Sequence, residues 1–193
     1  MSSELRDHQS NAVATRDEVI HLAGKELPDI AVPVTTAPEP RSLRDLARST
    51  ARLVVYAYPS IGAPDREPIT SDWKSIPGAF GCTAESCGFR DLAATLGELG
   101  AGVCGLSTQS PDEQEEAAQR LALGFPLLSD RDHAITGELR LPVWSAGGPD
   151  GPGLLKRFTM VTDGTVIQHV FAPVPDPATH AADVVAWLRE NPR

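Results

Sequence analysis

Hydrophobic positions along this chain follow two rhythms, and the switches between them mark the elements. Leu53-Val54-Val55-Tyr56-Ala57-Tyr58 is apolar on both faces, the pattern of a strand buried inside a sheet. Phe89, Leu92, Ala93 and Leu96 fall at the i, i+3, i+4, i+7 spacing of one buried helix face. That spacing predicts a helix from Thr83 to about Leu99, stopped by Gly100 and Gly102. Val103 to Leu106 reads as the next buried strand. Ser110-Pro111-Asp112-Glu113 then opens a helix, with Ser110 at the N-cap, Pro111 in the first turn and Glu113 completing a capping box. It should run to Leu123 and stop at Gly124.

Phe125 to Leu128 is a short apolar strand, followed by a helix near Asp132 to Leu139. Leu155 to Val161 and Thr165 to Phe171 flank Asp163-Gly164, a hairpin signal. Asp176-Pro177 opens a last helix whose Ala181, Val184, Val185 and Leu188 form one stripe. Ahead of these, Ile30 to Val34 alternates like a short strand whose Pro33 suits a sheet edge, and Ser42 to Arg48 suits a helical turn. Residues 1 to 25 read as a loose or short helical extension before one domain, 26 to 193. Alternating strands and helices followed by a hairpin predict an α/β fold, a mixed central sheet with helices on both faces.

Composition narrows the function. The formal charge of −9 argues against a broad nucleic-acid-binding face. No apolar run reaches the roughly 20 residues of a membrane span, and the polar start from Met1 to Thr15 lacks the apolar segment of a secretory signal. The expected compartment is the cytoplasm. The 3 cysteines, Cys82, Cys87 and Cys104, make no disulfide framework, which leaves inert buried thiols or working ones. Cys104, inside an apolar strand, reads as core. No histidine spacing completes a zinc site with the other two, and His133, His169 and His180 read as surface or structural. Glu113, Glu115 and Glu116 read as a solvated helix face.

Cys82 stands at the amino end of a predicted helix, where unpaired N–H groups and the helix dipole favour a thiolate. It also lies seven residues before Phe89, on the inward stripe. Cys87 lies two before Phe89, about 200° round the helix, so the two thiols point apart. Five helical residues exceed the ~7 Å Cα separation a disulfide tolerates, so pairing them requires the first turn to unwind. Two unrelated cysteines on one helix remain the alternative. The long Pro59 to Gly81 stretch before Cys82 has the composition of a functional loop.

Gly81-Cys82-Thr83-Ala84-Glu85-Ser86-Cys87-Gly88-Phe89-Arg90-Asp91 resembles the peroxiredoxins, specifically the Q type, also called bacterioferritin comigratory proteins. The resemblance runs from about Gly24 to Leu188 and takes in Val54 to Pro59, Gly105 to Thr108, Phe125 to Asp130 and Arg157-Phe158-Thr159. It implies a thioredoxin-like fold and thiol-dependent reduction of hydrogen peroxide or organic hydroperoxides, with no cofactor. On it Cys82 matches the peroxidatic cysteine, and Cys87 the resolving cysteine that forms an intramolecular disulfide. A thioredoxin-like dithiol would restore both thiols. Arg157 matches the arginine that holds thiolate and peroxide, and a permanent cation there lowers the sulfur pKa on physical grounds as well. A resolving cysteine in the same chain suits a monomer or a weak homodimer.

The family pattern places a proline seven residues and a hydroxyl residue three residues before the peroxidatic cysteine. Ser75 and Ala79 occupy those positions, and Pro59 is displaced by an insertion. Thr70, Ser71, Ser75 or Thr83 is left to supply the hydroxyl, or backbone N–H groups to take over more of the binding, with Tyr58 to line the pocket and inserted Trp73 and Phe80 to cover it. A slow thiol–disulfide sensor on the same fold, or a scaffold with remnant cysteines, are the competing readings.

Overall fold

The computed structural model describes residues 11–193, so the first ten residues of the expected extension lie outside the described residues. The chain forms α1 (Arg16–Val19), a 3-10 turn (Ile20–Leu22), β1 (Val32–Val34), β2 (Ala37–Arg41), α2 (Leu43–Arg48) and β3 (Arg52–Ala57). A second 3-10 turn (Trp73–Ser75) interrupts the long loop before α3 (Cys82–Asp91), α4 (Ala93–Glu98), β4 (Ala101–Ser107) and α5 (Pro111–Arg120). Then follow β5 (Leu127–Ser129), α6 (Ala134–Leu139), β6 (Val143–Ser145), β7 (Gly153–Leu155), β8 (Phe158–Asp163), β9 (Val166–Phe171) and α7 (His180–Glu190).

Seven strands make one mixed sheet in the order β2-β1-β5-β4-β3-β8-β9. The parallel pairs β3–β4 and β4–β5 are joined by helical crossovers, and β8 and β9 add antiparallel partners. Every residue of β3 is buried, as its two-faced apolar run requires. One face packs Phe89, Leu96, Ala117, Val184 and Leu188 from α3, α4, α5 and α7 against the sheet. The other packs Val19, Leu43, Ala47, Ile135 and Leu139 from α1, α2 and α6. Phe89 stacks on Tyr56 with ring centroids 4.7 Å apart, and burying a side chain of that size contributes about 1.5–3 kcal/mol.

Four elements differ from their sequence expectation. The predicted helix from Thr83 to Leu99 is two, because the backbone leaves helical geometry at Leu92 (φ −102) before α4 packs on β4. Pro33 is not at an edge: β1 lies between β2 and β5, and a register irregularity between Val32 and Val34 spares Pro33 from donating to the ladder. The helix opened by Ser110 keeps its capping box but ends at Arg120, and the chain then turns through left-handed Ala122 (φ 51). Leu155 belongs to a separate two-stranded sheet with β6 rather than to the hairpin. Trp144 and Leu154 of that small sheet meet Ala12, Ile76 and Ala79 in a third apolar cluster, with Trp73 at its margin. Among the described residues, no helix is long and apolar enough to cross a membrane.

Candidate active site

Helix α3 begins at Cys82 because Gly81 can turn the chain there. Gly81 sits at φ +103, and a Cβ on it would lie 2.9 Å from the Pro177 ring. Its carbonyl accepts the Glu85 N–H at 2.9 Å, which leaves the first-turn N–H groups without intrahelical partners. The inward stripe of α3 then carries Cys82, Glu85, Ser86 and Phe89, all buried. Ser86 bonds the Tyr56 hydroxyl at 3.0 Å.

Arg157 reaches this stripe from the residue just before β8. It is 1% exposed, and every nitrogen of its guanidinium has a partner. Nη2 donates to Cys82 Sγ at 3.0 Å, to the Gly78 carbonyl at 2.9 Å and to the Phe80 carbonyl at 3.2 Å. Nε also donates to Gly78, and Nη1 pairs with Glu85. Neighbouring Lys156 points away, to Glu18 at 2.7 Å.

The electrostatics differ from those expected for an exposed helix terminus. Burial pushes the Cys82 thiol above its usual range. The Arg157 charge pulls it back, Glu85 pushes it up, and a Ser60 N–H and the Arg157 bond pull it down. Burial also lowers Arg157, but Cys82 and Glu85 outweigh it, so the guanidinium stays charged. Burial raises Glu85 to about 7 against the opposing pull of Arg157. A protonated Glu85 no longer competes with the sulfur for that cation. Glu85 was missed in the sequence reading, although its position three residues after Cys82 puts an acid on an inward stripe.

Titration of Glu85 leaves a signature in stability. From its ordinary 4.5 up to about 7, the folded protein holds a proton that the unfolded chain has lost, so stability falls as pH rises. His180, pushed down to about 4 by burial and then by Arg157, has the opposite slope: the unfolded chain binds the extra proton below its ordinary 6.5. Glu85→Gln should therefore show a larger gain in urea midpoint between about pH 5 and pH 6.5 than the parent does. An equal or smaller gain would mean that Glu85 does not titrate in that window.

A cavity of about 570 Å³ opens above Cys82. Ile61, Pro64, Pro68, Ile69, Trp73 and Phe80 line its apolar wall, so Trp73 and Phe80 border the pocket as expected. Of the hydroxyl candidates only Thr83 lines it. Thr70 lies against Gly147, and Ser75 donates to the Asp72 carbonyl. Ser60, passed over in the sequence reading, is the other hydroxyl residue of the lining. Gln109 holds the adjoining loop by accepting from Ile61 N–H at 2.8 Å and donating to the Ile61 carbonyl at 3.1 Å. Tyr58 does not line the cavity. It is fully buried, with its hydroxyl accepting from Gln114 at 3.4 Å.

Cys87 is half-buried on the other side of α3, and the helix between the two cysteines is intact. Cys104 is 0% exposed in β4, where burial raises its thiol well above the usual range. His180 is buried and bonds Thr159 at 2.8 Å, a structural place. Glu113 and Glu116 line the mouth of the cavity as well as facing solvent. Among the described residues, no cluster of three or more His, Cys, Asp or Glu residues is placed to hold a metal ion.

Known proteins resemble this chain over most of its length. The sequence model of the AhpC/TSA family matches residues 75–169. Peroxiredoxin Bcp of Escherichia coli K12 is 30% identical over 143 residues, which span 72% of this chain and 80% of that protein. A putative peroxiredoxin bcp of Coxiella burnetii is 29% identical over 86% of this chain and 97% of its own length. Among solved structures, the peroxidoxin BcpB of Mycobacterium tuberculosis superposes with a TM-score of 0.67 at 28% identity, covering 87% of this chain and 96% of that one. Peroxiredoxin Q of Xanthomonas campestris gives 0.67 at 26% identity, covering 89% and 99%.

Proposed function

The chain belongs to the AhpC/TSA family as a Q-type peroxiredoxin, a thiol-dependent peroxidase with a thioredoxin-like fold, and within that activity we propose that Cys82 is the attacking cysteine and Cys87 its resolving partner. The observation that carries this reading is the Arg157 Nη2 donor 3.0 Å from Cys82 Sγ, on the floor of a cavity. The Cys82 thiolate attacks a peroxide oxygen, forming an S–O bond as the O–O bond breaks. The leaving oxygen departs as water or an alcohol after taking a proton, and Cys82 becomes a sulfenic acid. Arg157 and the unpaired first-turn N–H groups face the charge that develops on the oxygens. Thr83, one of the two hydroxyl residues on the cavity lining, orients the peroxide in this reading.

Cys87 then attacks Cys82 Sγ. An S–S bond forms, the S–O bond breaks, and the oxygen leaves as water. An external dithiol of the thioredoxin kind returns both thiols by exchange. Intramolecular resolution suits a monomer or weak homodimer, and an odd count of 3 cysteines that makes no disulfide framework suits a reducing compartment such as the cytoplasm. The apolar wall admits organic hydroperoxides beside hydrogen peroxide.

Mixing reduced protein with one equivalent of hydrogen peroxide, then mapping the product by mass spectrometry, tests the reading. Thiol loss should far outpace that of free cysteine and end in a Cys82–Cys87 bridge with Cys104 still reduced. Loss no faster than free cysteine, or a bridge through Cys104, would overturn it.

A further inference from the structure

The residue that presents the guanidinium is also the residue to which the amino-terminal segment is bonded. The Arg157 N–H donates to the Ala12 carbonyl at 2.7 Å, and the Ala14 N–H donates to the Arg157 carbonyl at 3.3 Å. The Ala12 N–H in turn donates to the Pro77 carbonyl at 2.8 Å. One residue further, the Gly78 carbonyl accepts from Arg157 Nε at 3.2 Å and Nη2 at 2.9 Å. Backbone and side chain of Arg157 are thus tied to the same loop, through the strap at one end and directly at the other. The ring of bonds closes on itself.

The strap has little slack. Asn11 Oδ1 accepts from the Val13 N–H at 2.8 Å, and Ala12 and Ala14 are both 0% exposed. Ala12 packs with Ile76, Ala79, Trp144 and Leu154. Gly78 sits at φ +79, and a Cβ on it would lie 2.7 Å from both Ala12 C and Val13 N, so backbone rests on backbone. We infer that Asn11 to Ala14, seated on Gly78, form a positioning device that holds Arg157 at bonding distance from Cys82. An arginine on a free arm has rotamer entropy to lose on each approach to the sulfur. Fixing its backbone and its acceptors together removes that freedom before peroxide arrives. The inference rests on the reading of Cys82 and Arg157 as the reacting pair.

Two full-length variants in a Cys87→Ser background test it. Gly78→Ala forces the strap off the loop, and Ala12→Pro deletes the N–H that Pro77 accepts. The pH midpoint of Cys82 alkylation and the second-order rate with hydrogen peroxide are measured for each, alone and combined with Arg157→Ala, beside thermal unfolding. Each strap variant should raise the midpoint by about one pH unit and slow the peroxide reaction by about tenfold to a hundredfold. Neither should add to the effect of Arg157→Ala, because a device acting through Arg157 has nothing left to position. An unmoved midpoint with lowered thermal stability would reduce the strap to a structural role, and additive effects would place its action elsewhere. Arg157→Ala without effect would instead sink the assignment of the reacting pair. Should Gly78→Ala fail to fold, Ala12→Pro decides.

Discussion

Cys82→Ser should bring peroxide consumption down to that of the reductant alone, a loss on the order of a thousandfold or more. The reason is the acidity of the attacking atom. Burial already raises the thiol, and Arg157 at 3.0 Å brings the sulfur anion within reach. A serine hydroxyl starts so much higher that the same cation leaves it neutral and unreactive. The substitution keeps the shape of the site, since Oγ replaces Sγ beside the Ala79 carbonyl and Arg157. Thermal unfolding should therefore stay close to that of the parent while stopped-flow peroxide consumption collapses. Retained turnover would move the chemistry away from α3.

Cys87→Ser should separate the two halves of the cycle. The first equivalent of peroxide should be consumed at the parent rate, because Cys87 is not part of the cavity lining. Steady-state turnover with a protein dithiol then falls close to zero, with Cys82 trapped as sulfenic acid. The trapped species is visible by mass as one added oxygen on an otherwise reduced chain. Parent-like cycling in this variant would remove Cys87 from the mechanism. Intact α3 separates the two residues by about 7.5 Å along its axis alone, so on the proposed cycle resolution has to unwind the first turns.

The parts of the fold that could be read from the sequence are those where one rhythm ran uninterrupted. Leu53 to Tyr58, the stripe of the last helix and the Ser110 capping box were legible because burial and capping act within a few residues. β2 was not, since Ala37–Arg41 carries two prolines and two charges and is held by its neighbour rather than by an apolar pattern. The helix break at Leu92 was hidden because Leu96 continues the stripe on the far side of it. At the site, Cys82 stood out by its place at a helix start and Arg157 through the family resemblance, and the fold brings the two to 3.0 Å. Tyr58 was misplaced because it shares a strand face with Tyr56. The two rings stack at 5.5 Å in the core below α3, and the cavity begins only after Pro59. The strap was invisible because Ala12 and Ala14 are too small to announce a buried edge.

The packing of α3 also sets a direction for the cycle. Ser86 on Tyr56, Phe89 stacked on the same ring, and Glu85 against Arg157 are contacts of the thiol form. On the proposed cycle the disulfide exists only while part of that helix is undone, so the free energy of winding it opposes oxidation and assists reduction. The fold thereby tilts the thiol–disulfide balance toward its own thiols and makes the bridge a stronger oxidant of whatever dithiol it meets. A tightly packed helix of this kind works like a return spring. Peroxide does the stretching, and the reductant finds a bond that the rest of the protein is already pulling open.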